Sequence, residues 1–152
     1  MANREHVGLL KQGVAQWNEW REQQPEDLRI DLNNIDLSSI HLGGANLSKA
    51  DLSGSDLRKA DLCESDLSSA LLSKANLREA LLNSVDLGSA NLSKADLHLA
   101  ILSNTLLIDA DLSRADLSSA LLSNADLIDA DLSYADLSYA LQLHFLISTI
   151  FD

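Results

Sequence analysis

The feature that most constrains the fold is a leucine at every fifth residue from Leu32 to Leu137, 22 in a row without an exception. This period fits neither regular element. On an α-helix, at about 100° per residue, successive leucines would move about 140° around the axis, and in a flat strand they would alternate between faces. The chain must therefore turn once in every repeat, which predicts a solenoid with short sides.

A second apolar column lies two residues before the leucines, from Ile30 to Ala135, and is Ala in 15 of 22 repeats. Residues two apart point the same way in an extended segment, so these two columns are predicted to form the interior. The residue just before each Leu is Asp in 13 repeats and Asn in three, and mostly small or polar residues follow the Leu. These positions predict a solvated wall followed by a turn.

A longer period of twenty residues is present in the variable positions. The segment LIDADLS occurs at 107–113 and again at 127–133. Four five-residue sides in each coil would place residues twenty apart one above another. The 22 repeats then make 5.5 coils, which is a rod about 26 Å long at about 4.8 Å between neighbouring strands.

The segments ANLSKADLSGSDL, SDLRKADL and ANLSKADL resemble the A(D/N)Lxx units of the pentapeptide repeat family, and the chain looks most like its cyanobacterial members. The resemblance covers about 110 residues. It implies an all-β solenoid, namely a right-handed, quadrilateral parallel β-helix in which the Leu and Ala columns point inward and stack coil over coil.

The N-terminal segment has a different pattern, with apolar residues spaced 3, 4 and 3 apart at Val7, Leu10, Val14 and Trp17. With Asn3 as the N-cap, this spacing predicts one amphipathic α-helix over residues 4–23. An open coil edge needs a cover, so we expect a capping helix, the alternative being a helix that docks on a partner.

At the other end, Gln142 replaces the expected Leu and the tail becomes more apolar, as LHFLISTIF. We expect this tail to be a lid over the last coil or a dimer seam. The predicted domains are an N-terminal capping helix at 1–24, a pentapeptide-repeat β-helix at 25–140, and an apolar C-terminal cap or dimer segment at 141–152.

Composition limits the classes of partner. There are 11 Lys and Arg residues against 23 Asp and Glu residues, a net charge of −12, which argues against nucleic-acid binding through a basic surface. No run approaches the roughly 18 apolar residues of a membrane-spanning helix. Cys63 is the single cysteine, and the opening residues lack the apolar run of a signal peptide, so we expect a cytoplasmic protein.

No residue stands out as catalytic, and we expect no enzyme, no cofactor and no metal site. Most Ser and Asp residues occupy repeat positions where any solvated corner residue would serve. The four histidines lie in different contexts without metal-ligand spacing and are predicted to be surface residues: His6, His41, His98 and His144.

Sorting the outward positions by twenty residues predicts an acidic ladder, consisting of Asp36, Asp56, Asn76, Asp96, Asp116 and Asp136. Such a ladder would attract cations or basic side chains. The alternative is that these side chains simply hydrogen-bond the turn backbone. Along a neighbouring corner, Lys74, Lys94 and Arg114 are predicted to stack and to balance this charge.

The same sorting predicts an apolar row, consisting of Leu81, Ile101 and Leu121, at positions that the repeat normally gives to Asp or Asn. We expect Leu106, with Ile108 and Ile128, to extend the row around the next corner. Soluble monomers seldom expose a contiguous apolar patch. Either the tail 141–151 covers the row, or the row binds another chain, as a homodimer or with a protein partner of unknown identity.

The function expected from these features is a non-catalytic interaction or scaffold module. The resemblance implies an alternative, because some pentapeptide repeat proteins are acidic rods that mimic DNA and bind type II topoisomerases such as gyrase. The Lys74, Lys94 and Arg114 row breaks the acidity that mimicry needs, and the Phe residues that those mimics often have at their centre are Leu here. A hydrolase is the third hypothesis, without a recognisable base and nucleophile.

Overall fold

The computed structural model describes residues 2–25 and 27–141. Two helices come first, α1 (Arg4–Leu10) and α2 (Val14–Glu22). The residues from 27 to 141 contain no helix and consist of short extended sides joined by turns, with parallel bridges between single residue pairs. The predicted C-terminal cap or dimer segment lies outside the described residues, except for Leu141.

The prediction of one helix over residues 4–23 is wrong, because the chain breaks between α1 and α2. Gly13, directly before α2, has a φ of 117°, which lies outside the helical region and which glycine adopts without a Cβ clash. The predicted N-cap is confirmed, since the Asn3 side chain accepts a hydrogen bond from the Glu5 N–H at 2.9 Å.

Parallel bridges join residues twenty apart along the repeat region, for example Asp56 with Asn76 and Asn76 with Asp96. They recur every five residues, so that one coil has four sides and twenty residues. The register predicted from the variable positions is therefore confirmed. The right-handedness that the resemblance implies stays a prediction.

The leucine column fills the interior of the coils. Its members from Leu32 to Leu127 are buried, most of them with no exposed surface. Leu132 and Leu137 are only partly buried, contrary to the prediction that the whole column is buried. The repeat ends at Leu137, because Gln142 occupies the next Leu position, so no further Leu repeat continues the column beyond these two residues.

Every repeat contains the same tight turn. The second residue after each Leu, from Asn34 to Tyr139, has a φ between 51° and 73°. A positive φ at the third of four turn residues is typical of a type II turn, where glycine is the usual occupant. Only Gly44 and Gly54 are glycines here, so the turn is held in place by something other than glycine.

The two helices lie against the first coil and bond its edge. Trp17 is fully buried, and its ring N–H donates to the Asn46 carbonyl at 2.7 Å. The Asn46 N–H donates to the Asn18 side chain at 2.9 Å, and the Asp31 N–H donates to His6 Nδ1 at 3.1 Å. These groups would otherwise face the open end of the coil without a partner.

Three hydroxyl residues interrupt the inner Ala column, and Ser55, Ser65 and Thr105 are all buried. Ser55 Oγ donates to the Leu32 carbonyl at 2.7 Å and accepts from the Ile35 N–H at 3.3 Å. Ser65 Oγ has no hydrogen-bond partner among the described residues. An unpaired buried hydroxyl loses its hydration without compensation, so these two serines should affect stability in opposite directions.

Replacing Ser65 by Ala should raise the free energy of unfolding by about 1 kcal/mol, because an unpaired hydroxyl is removed and the residue preferred by the repeat is restored. Ser55→Ala is the matched control and should lower it by about 1 kcal/mol, since two backbone groups lose their partner. Urea denaturation at pH 7 measures both changes. A Ser65→Ala protein less stable than the wild type would contradict the assignment of Ser65 as unpaired.

Candidate interaction surfaces

The acidic ladder lies on one wall of the repeat region. Parallel bridges connect its members in order along the rod, in the pairs Asp36 with Asp56, Asp56 with Asn76, Asn76 with Asp96, Asp96 with Asp116, and Asp116 with Asp136. The structure therefore brings these sequence-predicted residues together, one coil above another.

Each member of the ladder hydrogen-bonds its own turn. The side-chain Oδ1 accepts from the backbone N–H two residues later, at 2.9 Å in Asp36, 3.2 Å in Asn76 and 2.8 Å in Asp136. The same bond forms in Asp96 and Asp116. These contacts agree with the interpretation that the Asp and Asn side chains of the ladder hydrogen-bond the turn backbone.

These hydrogen bonds stabilise the charged form of the carboxylates. The Ser38 hydroxyl and N–H hold the pKa of Asp36 below its usual value, although burial and the neighbouring Asp56 oppose this. The Ser138 N–H lowers the pKa of Asp136 in the same way. Asp36 and Asp136 are therefore ionised at neutral pH without needing a bound cation.

Two arginines form ion pairs with carboxylates of the ladder. The Arg58 guanidinium forms a two-pronged contact with Asp56, with Nε 2.8 Å from Oδ1, and Arg78 Nη1 lies 3.5 Å from Asp96 Oδ2. In the described chain, no residue of the Lys74, Lys94 and Arg114 row forms an ion pair, and their balancing role stays a prediction. Arg114 instead lies over the Tyr134 ring, 5.6 Å from its centroid.

The apolar row also lies on a single wall. Bridges connect Leu81 with Ile101 and Ile101 with Leu121, and the series continues to Leu141. Leu81 is 37% exposed, while Ile101 and Leu121 are half-buried. The structure thus brings the three residues of the row together on the surface.

The predicted extension of the row is interrupted by a polar corner. Residues 103, 104, 123 and 124 lie between the row and the second group of apolar residues, and Asn124 donates to Asn104 at 3.3 Å. Leu106 and Ile108 are exposed and Ile128 is half-buried beyond this corner. They form a separate apolar group on the next wall.

Sequence reasoning missed two exposed leucines. Leu71 is 43% exposed and breaks the Asp and Asn column, the same signal that identified Leu81. Leu99 is 47% exposed at the corner directly before Ile101, with a φ of 59°. Leu99 breaks the polar column of turn residues, a signal that could have been found by sorting the turns as well as the walls.

One histidine prediction is wrong. His6 was expected at the surface but is only 5% exposed. Its ring packs against Trp20, and its Nδ1 accepts a hydrogen bond from the Asp31 N–H of the first coil. His41 is exposed, and His98 Nδ1 lies 2.8 Å from Ser118 Oγ. The prediction for His144 lies outside the described residues.

The described residues contain no group of three or more His, Cys, Asp or Glu side chains arranged to hold a metal ion. Neither α1 nor α2 is long and apolar enough to cross a membrane.

The sequence model described as "Pentapeptide repeats" matches residues 30–68, 70–109 and 110–140, with eight copies of the motif. The chain belongs to the pentapeptide repeat family. Among curated proteins, none matches it.

Solved pentapeptide repeat proteins are similar to this chain. It is 37% identical to Rfr23 of the cyanobacterium Cyanothece 51142, over 59% of this chain and 58% of that one, with a TM-score of 0.47. It is 30% identical to HetL of Nostoc sp. strain PCC 7120, over 74% and 71%, with a TM-score of 0.29. A protein of the Arabidopsis thaliana thylakoid lumen is 26% identical, over 74% and 72%, with a TM-score of 0.45.

Asp56→Asn should make stability less sensitive to acid. The Arg58 hydrogen bond lowers the pKa of Asp56 in the folded protein, so the carboxylate stabilises the fold above its unfolded pKa of about 3.9, and this stability is lost as the pH falls through the folded pKa. Asn retains the acceptor for the turn N–H, as Asn76 does. The variant should therefore be less stable at pH 7, by about 1 kcal/mol or less because the pair is partly exposed, and should converge with the wild type near pH 2.

Thermal denaturation between pH 7 and pH 2 measures this difference. Arg58→Gln is the control, since it keeps the carboxylate and its bond to the turn, and should show an intermediate sensitivity. A constant difference between Asp56→Asn and the wild type at every pH would contradict the prediction.

Proposed function

We propose that this chain is a non-catalytic interaction module, a right-handed, four-sided β-helix that presents the apolar row to another protein chain. The observation that supports the proposal is the position of Leu81, Ile101 and Leu121, which occupy three successive coils of one wall. Most repeats have Asp or Asn at these positions.

The side chains of the apolar row do not stabilise their own repeats. An Asp or Asn at these positions accepts a bond from the turn N–H two residues later, as Asp96 does from His98. Leu and Ile cannot accept it, so each repeat of the row forgoes this bond and places aliphatic surface toward water. Both changes act against the isolated rod, and contact with another chain would offset them.

Leu99 supports the same interpretation. It lies at the corner before Ile101, and its left-handed backbone costs about 1 kcal/mol in a residue without a short polar side chain that could bond locally. Its side chain is nearly half exposed. A strained, exposed leucine beside the apolar row widens the surface that a partner would cover.

The charges around the row indicate the kind of partner. Asp61 lies directly before Leu81 on the same wall, and the acidic ladder occupies the preceding wall. The chain carries a net charge of −12. We therefore propose a partner whose apolar side chains are flanked by Lys or Arg, since a basic rim would meet the acidic one.

The DNA-mimic hypothesis is not supported by the acidic ladder. Its charge is broken by Asn76 and is paired with Arg58 and Arg78 near the middle of the rod. Phosphate mimicry needs uncompensated negative charge at regular intervals. We accordingly do not propose gyrase as the partner.

Ile101→Asp should remove the interaction while leaving the fold intact, because it restores the residue that the repeat prefers. Leu106→Asp is a matched control, since it makes the same restoration on the next wall, beyond the polar corner. Light scattering of the purified proteins measures self-association, and affinity capture with each variant as bait compares bound proteins. We expect a second copy or another protein to be retained by the wild type and by Leu106→Asp and lost with Ile101→Asp.

The melting temperature of Ile101→Asp provides the contrary outcome. If it falls while the mass and the set of captured proteins stay unchanged, the apolar row is covered by the chain's own residues. That result would refute the proposed function and favour the intramolecular lid.

A further inference from the structure

A cavity of about 380 Å³ lies between the end of α2 and the first coil. Its lining is polar and consists of Arg21, Glu22, Gln24, Asn46, Ser48 and Lys49. The cavity is remote from the apolar row, whose first residue, Leu81, lies two coils further along the rod. It therefore represents a separate feature of the capped end.

Arg21 is the unusual member of this lining. It is only 7% exposed, and its Nε has no hydrogen-bond partner among the described residues. It also forms no ion pair within the part of the chain that the structure describes. Buried guanidinium groups are almost always paired with a carboxylate, a phosphate or a carbonyl oxygen, because burial of an unpaired charge is strongly unfavourable.

The position of Arg21 is fixed by the contacts of α2. One turn earlier, the Trp17 ring N–H donates to the Asn46 carbonyl, and Asn18 bonds both Asn46 and Gly44 of the first coil. Asn46 itself lines the cavity. The guanidinium is thus held in a rigid frame, and little ordering is required when a ligand binds.

The charge of the lining favours an anion. Arg21 and Lys49 contribute two positive charges against the single carboxylate of Glu22, in a chain whose net charge is −12. A guanidinium matches the two oxygens of a carboxylate or a phosphate, and a neighbouring ammonium adds a second charged donor. Asn46 offers a side-chain amide in addition.

We propose that this cavity is an oxyanion-binding site in which Arg21 is the principal ligand-binding residue and Lys49 the second. The group that it binds is a carboxylate or a phosphate. The Arg21 guanidinium, which forms no ion pair among the described residues, provides the affinity, and the cavity beside it leaves room for a ligand larger than the anion itself. Anion binding here requires no contact with the apolar row. The test of this site is therefore independent of the test of the proposed function.

The test is a titration of the full chain with sodium phosphate and, separately, with sodium acetate, at ionic strength held constant with chloride. The two tryptophans of the chain, Trp17 and Trp20, both lie on α2 within four residues of Arg21, so intrinsic fluorescence reports the site. We expect a saturable change and a rise in melting temperature with at least one of the two anions. Saturation by phosphate alone assigns the ligand to the phosphate class, and saturation by both admits a carboxylate.

Arg21→Met should weaken the apparent affinity at least tenfold, because Met keeps the apolar stem but removes the guanidinium. Lys49→Gln should weaken it several-fold. Arg4→Met, an exposed arginine of α1, is the matched control for the loss of one positive charge and should leave the affinity unchanged. Arg21→Met should also be at least as stable as the wild type when no anion is present, because it removes a largely buried charge whose Nε has no partner among the described residues.

Two outcomes overturn the proposal. The first is the absence of saturation with both anions in the wild type. The second is saturation of equal affinity in the wild type and Arg21→Met.

Discussion

Hydrogen bonds from the left-handed turn residues to the next coil hold this fold together. The Lys94 N–H donates to the Ser113 carbonyl at 2.9 Å, and the Ser69 N–H donates to the Gly88 carbonyl at 2.8 Å. The same bond recurs around the coils, so a backbone conformation that is unfavourable in isolation is fixed by the neighbouring coil instead of by glycine. The corner side chain is then free to vary, and corners carry charge at Lys94 and apolar surface at Leu99.

The interior and the register could be predicted from the sequence because both follow from periodicity. A five-residue period separates inward from outward positions, and a twenty-residue period assigns each outward residue to a wall. The pairing of charges could not be predicted in this way. Arg58 pairs with Asp56, two residues before it, while Lys74 forms no ion pair within the described part of the chain. A long Lys or Arg side chain can reach carboxylates in several rows. The row that it occupies in the sequence therefore does not determine which carboxylate it pairs with.

The N-terminal cap departs most from the sequence-based expectation, and the reason is that nothing in it repeats. Its shape is set by the hydrogen-bonding groups that the first coil leaves open, such as the N–H groups of Asp31 and Asn46. His6 of α1 accepts a hydrogen bond from the first of these groups, and Asn18 of α2 accepts one from the second. The two helices are separated by a break at Gly13, and His6 is buried. The helical spacing of apolar residues contains no information about these backbone groups.

Because each coil has four sides, the number of repeats that an insertion adds determines which wall every later residue occupies. A duplication of one five-residue repeat after Leu87 would leave Leu81 in place but move Ile101 and Leu121 a quarter turn onto the adjoining wall, which would divide the apolar row and the acidic ladder alike. A duplication of four repeats would preserve both surfaces and lengthen the rod by about 4.8 Å. Descendants of such a chain that keep a surface must therefore gain or lose whole coils, whereas a change of one to three repeats produces a protein with the same interior and a new exterior.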